Sequence, residues 1–461
     1  MSSIALDRKP VATPAIPEPP LDAMAHIPGT DGWPIVGNTL QLLADPKGAV
    51  ERLAVAYGPV YRIHAFGRRL ITMLGPEANE LVLFDQVKNF SSTHGWEPVL
   101  GLLFPRGLML LDFEQHRLHR KALSVAFKAG PMKSYLANLN SGIATGLAEW
   151  MKTSPDLRFY PAVKQLTLDL AAVSFLGAEI GPEVESIKRA FIDMVAASVA
   201  VVRRPLPGTQ MRRGVKGRQF MIDYFGRQIA ARRTSDGEDI FTQLCKATTD
   251  DGALLSPQEI IDHMSFLMMA AHDTLTSSLS SLVYFLTVNP DWQNKLREEA
   301  QSLGLAKGEP LAYERLEDLP LTEMAFKEAL RLIPPVPSIP RCAVADTEFA
   351  GFRIPAGARV SVNPLYTHHM PDVWPDPERF DPLRFTDAAS RSRHKHAFVP
   401  FGGGAHMCIG LHFAFMQAKC FAYHLLTTCT VSAAPDYRPD WKLWPIPQPR
   451  DGLQVKLTPL S

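Results

Sequence analysis

The run FGGGAHMCIG at 401–410 concentrates more chemistry than any other ten residues of the chain. Three consecutive glycines permit a tight loop with its backbone N–H groups bared. Cys408 then opens the apolar stretch IGLHFAFMQAK, which reads as a helix. A cysteine at a helix N-terminus meets unsatisfied N–H groups and the positive end of the dipole, and both favour a thiolate. Such a sulfur can bind a metal or attack an electrophile. A lone cysteine can equally be an inert core side chain.

Further residues could serve the same chemistry. Asp273 and Thr274 fall in the middle of a long apolar helical pattern, and a buried carboxylate needs a partner or a purpose. Thr274 can simply bond to backbone. Glu328 and Arg331 lie three apart on one helix face, a pair that is more often a solvated surface contact. In EQHRLHRKAL, His116 and His119 have the spacing of a helical metal pair, but no carboxylate or third histidine completes a site, so zinc is rejected.

These residues need elements to hold them. Ser256-Pro257-Gln258-Glu259 is a capping box with proline in the first helical turn, and Asn289-Pro290 ends the pattern. A helix of that length is about 50 Å long and crosses the whole molecule. Its stretch MSFLMMAA is apolar on every side and is expected in the core. PVYRIHAFGRRLITML (59–74) reads as two strands around a turn at Phe66–Arg69, and TEFAGFRIPAGARVSVN begins a second β-rich part. Residues 77–333 are mainly helical in period, and 371–400 form a proline-studded meander. The expected fold is mainly α with a small β portion, an α+β architecture. Residues 1–27 are read as a disordered Pro-rich tail, and 28–461 as a single domain that starts with a rigid loop at 28–38.

Composition narrows the partners. The 461 residues carry a net charge of +1 and are 46% hydrophobic, enough for a large core and too neutral for a nucleic-acid surface. The five cysteines form no C-x-x-C pair, so a disulfide scaffold is not indicated and a reducing, cytoplasmic compartment fits. No signal-peptide pattern or apolar run of about 18 residues is found, so no transmembrane segment is expected.

Taken together the motifs resemble the cytochromes P-450. Phe401, Gly404, Cys408 and Gly410 fill that family's Phe-x-x-Gly-x-x-x-Cys-x-Gly loop, and Glu328-Ala-Leu-Arg331 followed by Pro334-Pro335 matches its Glu-x-x-Arg helix. AAHDT (270–274) resembles the oxygen-side motif, with Ala271 where glycine is more usual. The resemblance implies haem b between the long central helix and the helix after the cysteine, with Cys408 as the axial thiolate and iron ligand. It also implies that Phe401, Gly402, Gly410 and Ala270 line the haem, while His116, Arg120, Arg341 and His406 hold its propionates. Asp273 would relay protons and Thr274 would hydrogen-bond in the oxygen pocket. Arg379 of PDPERFDPLRF would join Glu328 and Arg331 in a buried charge network.

The implied activity is a monooxygenase that places one atom of O2 in a hydrophobic substrate. Phe266, Met269 and Ala270 would face that substrate, with Val336 and Ile339 opposite and residues 92–110 as a roof. Such a pocket suits a bulky steroid, terpenoid or lipid and offers no partner for a charge. Electrons would come from a separate ferredoxin with its NAD(P)H-dependent reductase. Arg117, Lys121, the run RSRHKH (391–396) and Lys419 are expected to dock it, and a monomer is expected. Competing readings are a peroxide-driven haem-thiolate enzyme, an isomerase or dehydratase that needs no O2, a haem sensor or carrier, and a non-haem α-rich binding protein with Cys408 in its core.

Overall fold

The computed structural model describes residues 16–460 except 86, 155, 178–180, 201, 250 and 251. Seven helices matter for the site: α1 (Phe113–Leu123), α2 (Ala129–Thr153), α3 (Phe159–Leu176), α4 (Gln210–Arg232), α5 (Pro257–Val288), α6 (Pro320–Leu332) and α7 (Leu411–Thr428). The fold is mainly α with small sheets, in line with the sequence.

α5 is the axis of the molecule. Its start is the expected capping box: Ser256 Oγ accepts from Glu259 N at 3.3 Å, and Glu259 Oε2 accepts from Ser256 N at 2.7 Å. The helix runs for 32 residues, about 48 Å, and stops before Pro290. Ile260 to Met268 are buried all round, because α3, α4, α6 and α7 each pack against it. Several of its hydroxyls donate to carbonyls of the preceding turn, as for Thr276 on His272 at 3.0 Å and Ser280 on Thr276 at 2.8 Å, while Ser277 Oγ has no partner among the described residues.

α7 lies in the same apolar cluster and is tied to α2 by one buried amide. Asn140 Nδ2 donates to the carbonyls of Leu136 and Leu311 at 3.0 and 2.9 Å. Its Oδ1 accepts from Leu311 N and faces His424 Nε2, both at 2.8 Å. Burying an amide is tolerable only when its donors and acceptor are all used, as here.

The larger sheet has six strands: β1 (Gly29–Thr30), β2 (Val60–Ala65), β3 (Arg68–Met73), β4 (Phe90–Ser91), β5 (Ile339–Ala343) and β6 (Arg359–Val362). Their spatial order is β1-β2-β3-β6-β5-β4. β2 and β3 form the expected hairpin, but the turn is only Phe66-Gly67, with φ of +53° and +72°, and Arg68 and Arg69 already pair in the strand. Two left-handed residues match the twist of the strands they join. β5 follows the prolines that end α6 and carries Arg341 opposite Val360 of β6.

Two expectations about the N-terminal part need correction. Residues 16–27 are not a disordered tail: Met24 and Ile27 are buried in the apolar cluster of the sheet, and Glu18 pairs with Arg359 at 3.0 Å. Two large side chains gave this segment an anchor that its proline content obscured. The loop at 28–38 also contains β1, which pairs in parallel with β2. Residues 1–15 of the expected tail lie outside the described residues. No helix among the described residues is long and apolar enough to cross a membrane.

Candidate haem-thiolate site

The cysteine loop owes its path to glycine. Gly402 and Gly404 have φ of +70° and +59°, and a Cβ on Gly404 would lie 2.2 Å from the Leu83 carbonyl oxygen. Cys408 N donates to Phe401 O at 2.9 Å, closing the loop three residues before α7 begins. Cys408 carries accessible surface although protein surrounds it, so that surface opens inward. Burial raises the thiol's pKa, while the Gly410 N–H and the Arg120 charge oppose it. Burial prevails, so a thiolate here needs a bound cation, and metal binding would expel the proton.

A basic cluster surrounds this loop. His116 and Arg341 are buried, and the rings of His116 and His406 lie 3.9 Å apart at 34°. Burial, followed by the charge of Arg120, lowers the His116 pKa to about 4. Burial, followed by the charge of Arg341, lowers that of His406 to about 2. Both imidazoles are therefore neutral near pH 7, each with one N–H to donate. Burial also lowers the Arg341 pKa to about 10, still charged near neutrality.

The nearby acid is Asp112, and it is already occupied by Ser91 Oγ and by the N–H groups of Ser92 and Thr93 at 2.8 and 3.3 Å. Among the described residues, the guanidinium of Arg341 bonds only the carbonyl of Pro340, at 2.9 Å. A buried cation so poorly satisfied, with Arg120 and two neutral donors beside it, suits an anionic group with several oxygens. Haem carries two carboxylates and a metal that takes a thiolate, so the residues present fit it.

Across the fold, Thr274 Oγ1 donates to Ala270 O at 2.8 Å, the backbone bond allowed for it from sequence. Asp273 is buried and faces Lys164 Nζ of α3 at 2.9 Å and His272 Nε2 at 3.6 Å. Lys164 is partly exposed, so the carboxylate has a charged route toward solvent. His272 was not singled out from sequence. Its Nδ1 lies 3.2 Å from Thr167 Oγ1, its Nε2 has no hydrogen-bond partner among the described residues, and burial lowers its pKa to about 4.

Under the loop, Glu328 and Arg331 are fully buried and joined by two bonds of 2.7 and 2.8 Å. The third member is not the one expected. The Arg379 side chain is 65% exposed and pairs with Asp381 at 2.6 Å, and only its carbonyl reaches Arg331, at 3.3 Å. With that carbonyl turned inward, its side chain is turned out. Arg384 takes the place, with Nε 3.3 Å from Glu328 Oε1.

The substrate-facing candidates fall in two apolar clusters. Phe266, Met269 and Ala270 belong to the helical cluster, whereas Val336 and Ile339 belong to that of the sheet. Trp96, in the roof helix Ser92–Leu100, packs against both. The roof also sits directly on α5, since a Cβ on Gly107 would lie 2.4 Å from the Phe266 ring. One turn before Phe266, Asp262 is buried and paired with Arg106 of the roof segment at 2.7 Å.

The basic surface is smaller than expected. Lys419 is buried against Glu323 at 2.6 Å, and Arg393 stacks on Trp374 at 4.0 Å, so both are structural. Arg117 pairs with Glu114 at 2.7 Å, and Lys395, 73% exposed, lies 3.4 Å from Glu80.

Comparison with known proteins agrees with this site. The model of the family described as Cytochrome P450 matches residues 27–457. Cytochrome P450 136 of Mycobacterium tuberculosis is 36% identical over 450 residues, covering 96% of this chain and 90% of its own. Cytochrome P450 120 of Synechocystis is 32% identical, covering 95% and 98%. A solved structure of retinoic acid-bound cyanobacterial CYP120A1 superposes with a TM-score of 0.84 at 32% identity, over 97% of this chain and all of that one. A glycine-shaped cysteine loop with a poorly satisfied buried arginine beside it, a long buried helix and these likenesses lead to one conclusion: the chain belongs to the cytochrome P450 family, as a haem-thiolate monooxygenase.

Proposed function

We propose that this monooxygenase oxidises a bulky, largely apolar small molecule, with electrons from a separate ferredoxin and its NAD(P)H-dependent reductase. Haem held by a thiolate supplies the activation of O2, so that one oxygen atom enters a C–H or C=C bond and the other leaves as water. Cys408 provides the sulfur, Phe401, Gly402, Gly410 and Ala270 line the group, and Arg120, Arg341, His116 and His406 hold its carboxylates. Arg341 carries this reading: a buried guanidinium bonded only to the Pro340 carbonyl among the described residues has a reason to exist if an anion joins it.

Asp273 would take protons by way of Lys164, and the Thr274 hydroxyl would pass them toward the reacting centre. Thr274→Ala is then expected to keep the haem spectrum but to lower product formed per electron pair consumed. Phe266, Met269, Ala270, Val336 and Ile339 would shape the apolar pocket, with Trp96 between the two walls. The retinoic acid in the similar structure supports an isoprenoid-sized guest. A monomer in the cytoplasm completes the reading.

The test is a spin-state titration of the purified haem protein with steroids, terpenoids and retinoids, followed by turnover with ferredoxin and reductase. Low-to-high-spin shifts and ferredoxin-dependent product are expected. Product with peroxide, and none with any ferredoxin, would reverse the assignment of the electron source.

A further inference from the structure

Between Asp193 and Asp223 the sequence holds no acid, but it holds Arg203, Arg204, Arg212, Arg213, Lys216 and Arg218. Among the described residues, carboxylates from elsewhere meet two of these: Arg213 pairs with Asp193 at 3.3 Å, and Arg218 shares Asp262 with Arg106. Arg203 is held by backbone, its Nη2 donating to the carbonyls of Pro98 and Val99 at 3.0 and 3.1 Å. Arg204, Arg212 and Lys216 are exposed and have no carboxylate partner among the described residues. α4 buries Met211, Gly214 and Gly217, which leaves Arg212, Val215 and Lys216 on its open side.

Large apolar side chains stand among these charges. Val199, Val202 and Leu206 are exposed on the connection into α4, and Val99 and Leu102 are exposed at the end of the roof that Arg203 holds. The β2–β3 hairpin continues this face. Arg68 lies near enough to Arg203 to feel it: burial first, then the charge of Arg359, with that of Arg203 adding to them, lowers the Arg68 pKa. Here Arg62, Arg68, Arg69 and Arg359 face the acids Glu18, Asp31 and Glu97, so the hairpin does not cancel the positive charge beside it. At the turn, Phe66 N donates to Thr39 Oγ1 at 2.7 Å, and Gly37 bridges to Ala65. These bonds fix the loop that presents Trp33 and Ile35, 68% and 91% exposed. Ile35 has a φ of +68°, a costly state for a β-branched residue, and its side chain gains no burial from it.

We infer that this face docks the protein on a phospholipid bilayer with anionic headgroups. Trp33, Ile35, Val202 and Leu206 would enter the interface, while Arg204, Arg212 and Lys216 meet phosphates. Apolar tips on separate loops, rather than a groove, suit a fluid partner that needs no matching shape. Docking would lay the roof 92–110 against the lipid, where apolar substrates collect. The docking argument itself stands without the substrate reading above.

The holoprotein is floated with vesicles of phosphatidylcholine alone and with vesicles that contain about one-third phosphatidylglycerol. Binding to the anionic vesicles should be about tenfold or more tighter and should weaken as salt rises. Arg204→Glu, Arg212→Glu and Lys216→Glu together should remove that excess. Lys152→Glu, Lys246→Glu and Lys456→Glu together, at sites exposed elsewhere, should keep most of it. Val202→Ser with Leu206→Ser should leave only weak binding that salt abolishes. A native carbon monoxide spectrum verifies the fold of each variant. Equal binding to both vesicles, no binding to either, or the native excess in the Arg204–Arg212–Lys216 variant would overturn the inference. Vesicle binding that appears only after removal of residues 2–15 would assign the face to the chain's own N-terminus and overturn it too. Self-association without vesicle binding, lost in the Val202–Leu206 variant, would give the face to a second copy instead.

Discussion

Glu328 is buried, and Arg331, Arg384 and the Asp381 N–H all address its carboxylate. Removing Arg384 strips one cation from a buried charge network, whereas removing Arg379 takes away an exposed side chain. Arg384→Ala should cost about 3 kcal/mol of stability, and Arg379→Ala no more than about 0.5 kcal/mol, by denaturant titration. Equal losses would refute this assignment. The sequence pointed to the right segment but the wrong arginine, because a motif names a neighbourhood and a chain reversal decides which side chain turns inward. Asp376, at a φ of +49°, lies in that reversal. Lys419 was misread for a related reason: a lysine in an apolar helix looks solvated until Glu323 of α6 is brought beside it. Arg106 and Asp262 escaped notice because they are 156 residues apart and nothing local links them.

α5 was the most legible element, since its capping box, proline start, apolar girth and stop signal are all local and all agree. The β2–β3 hairpin was legible for the same reason. The contact of α2 with α7 was not, because it depends on Asn140 and His424, 284 residues apart. Burial lowers the His424 pKa from 6.5 to about 4, so the unfolded chain takes up a proton on acidification before the native one does. Its contribution is intact above pH 6.5, is lost as pH falls toward 4, and levels off below. The slope should be at most about 1.4 kcal/mol per pH unit for this group. His424→Gln, which keeps a donor for Asn140, should flatten that part of the stability–pH curve. An unchanged slope would remove His424 from the account.

For the whole molecule, the cysteine loop would hold one face of a bound haem and α5 would cover the other, as membership of the family implies. Of the cations expected to dock a ferredoxin, Lys419 and Arg393 have structural duties, and Lys395 remains largely exposed. Reduction by an acidic ferredoxin should still slow as ionic strength rises, and Lys395→Glu should slow it further at low salt by a few-fold. A rate independent of salt would exclude electrostatic docking. The central claim, that Cys408 is the ligand on which the chemistry depends, is tested most directly by the carbon monoxide difference spectrum of the reduced protein. The native chain should show the red-shifted Soret band of a thiolate-ligated haem, and Cys408→Ala should lose it while keeping the helical circular dichroism. A band at the imidazole-ligated position in the native protein, or a thiolate band that persists in Cys408→Ala, would contradict the account.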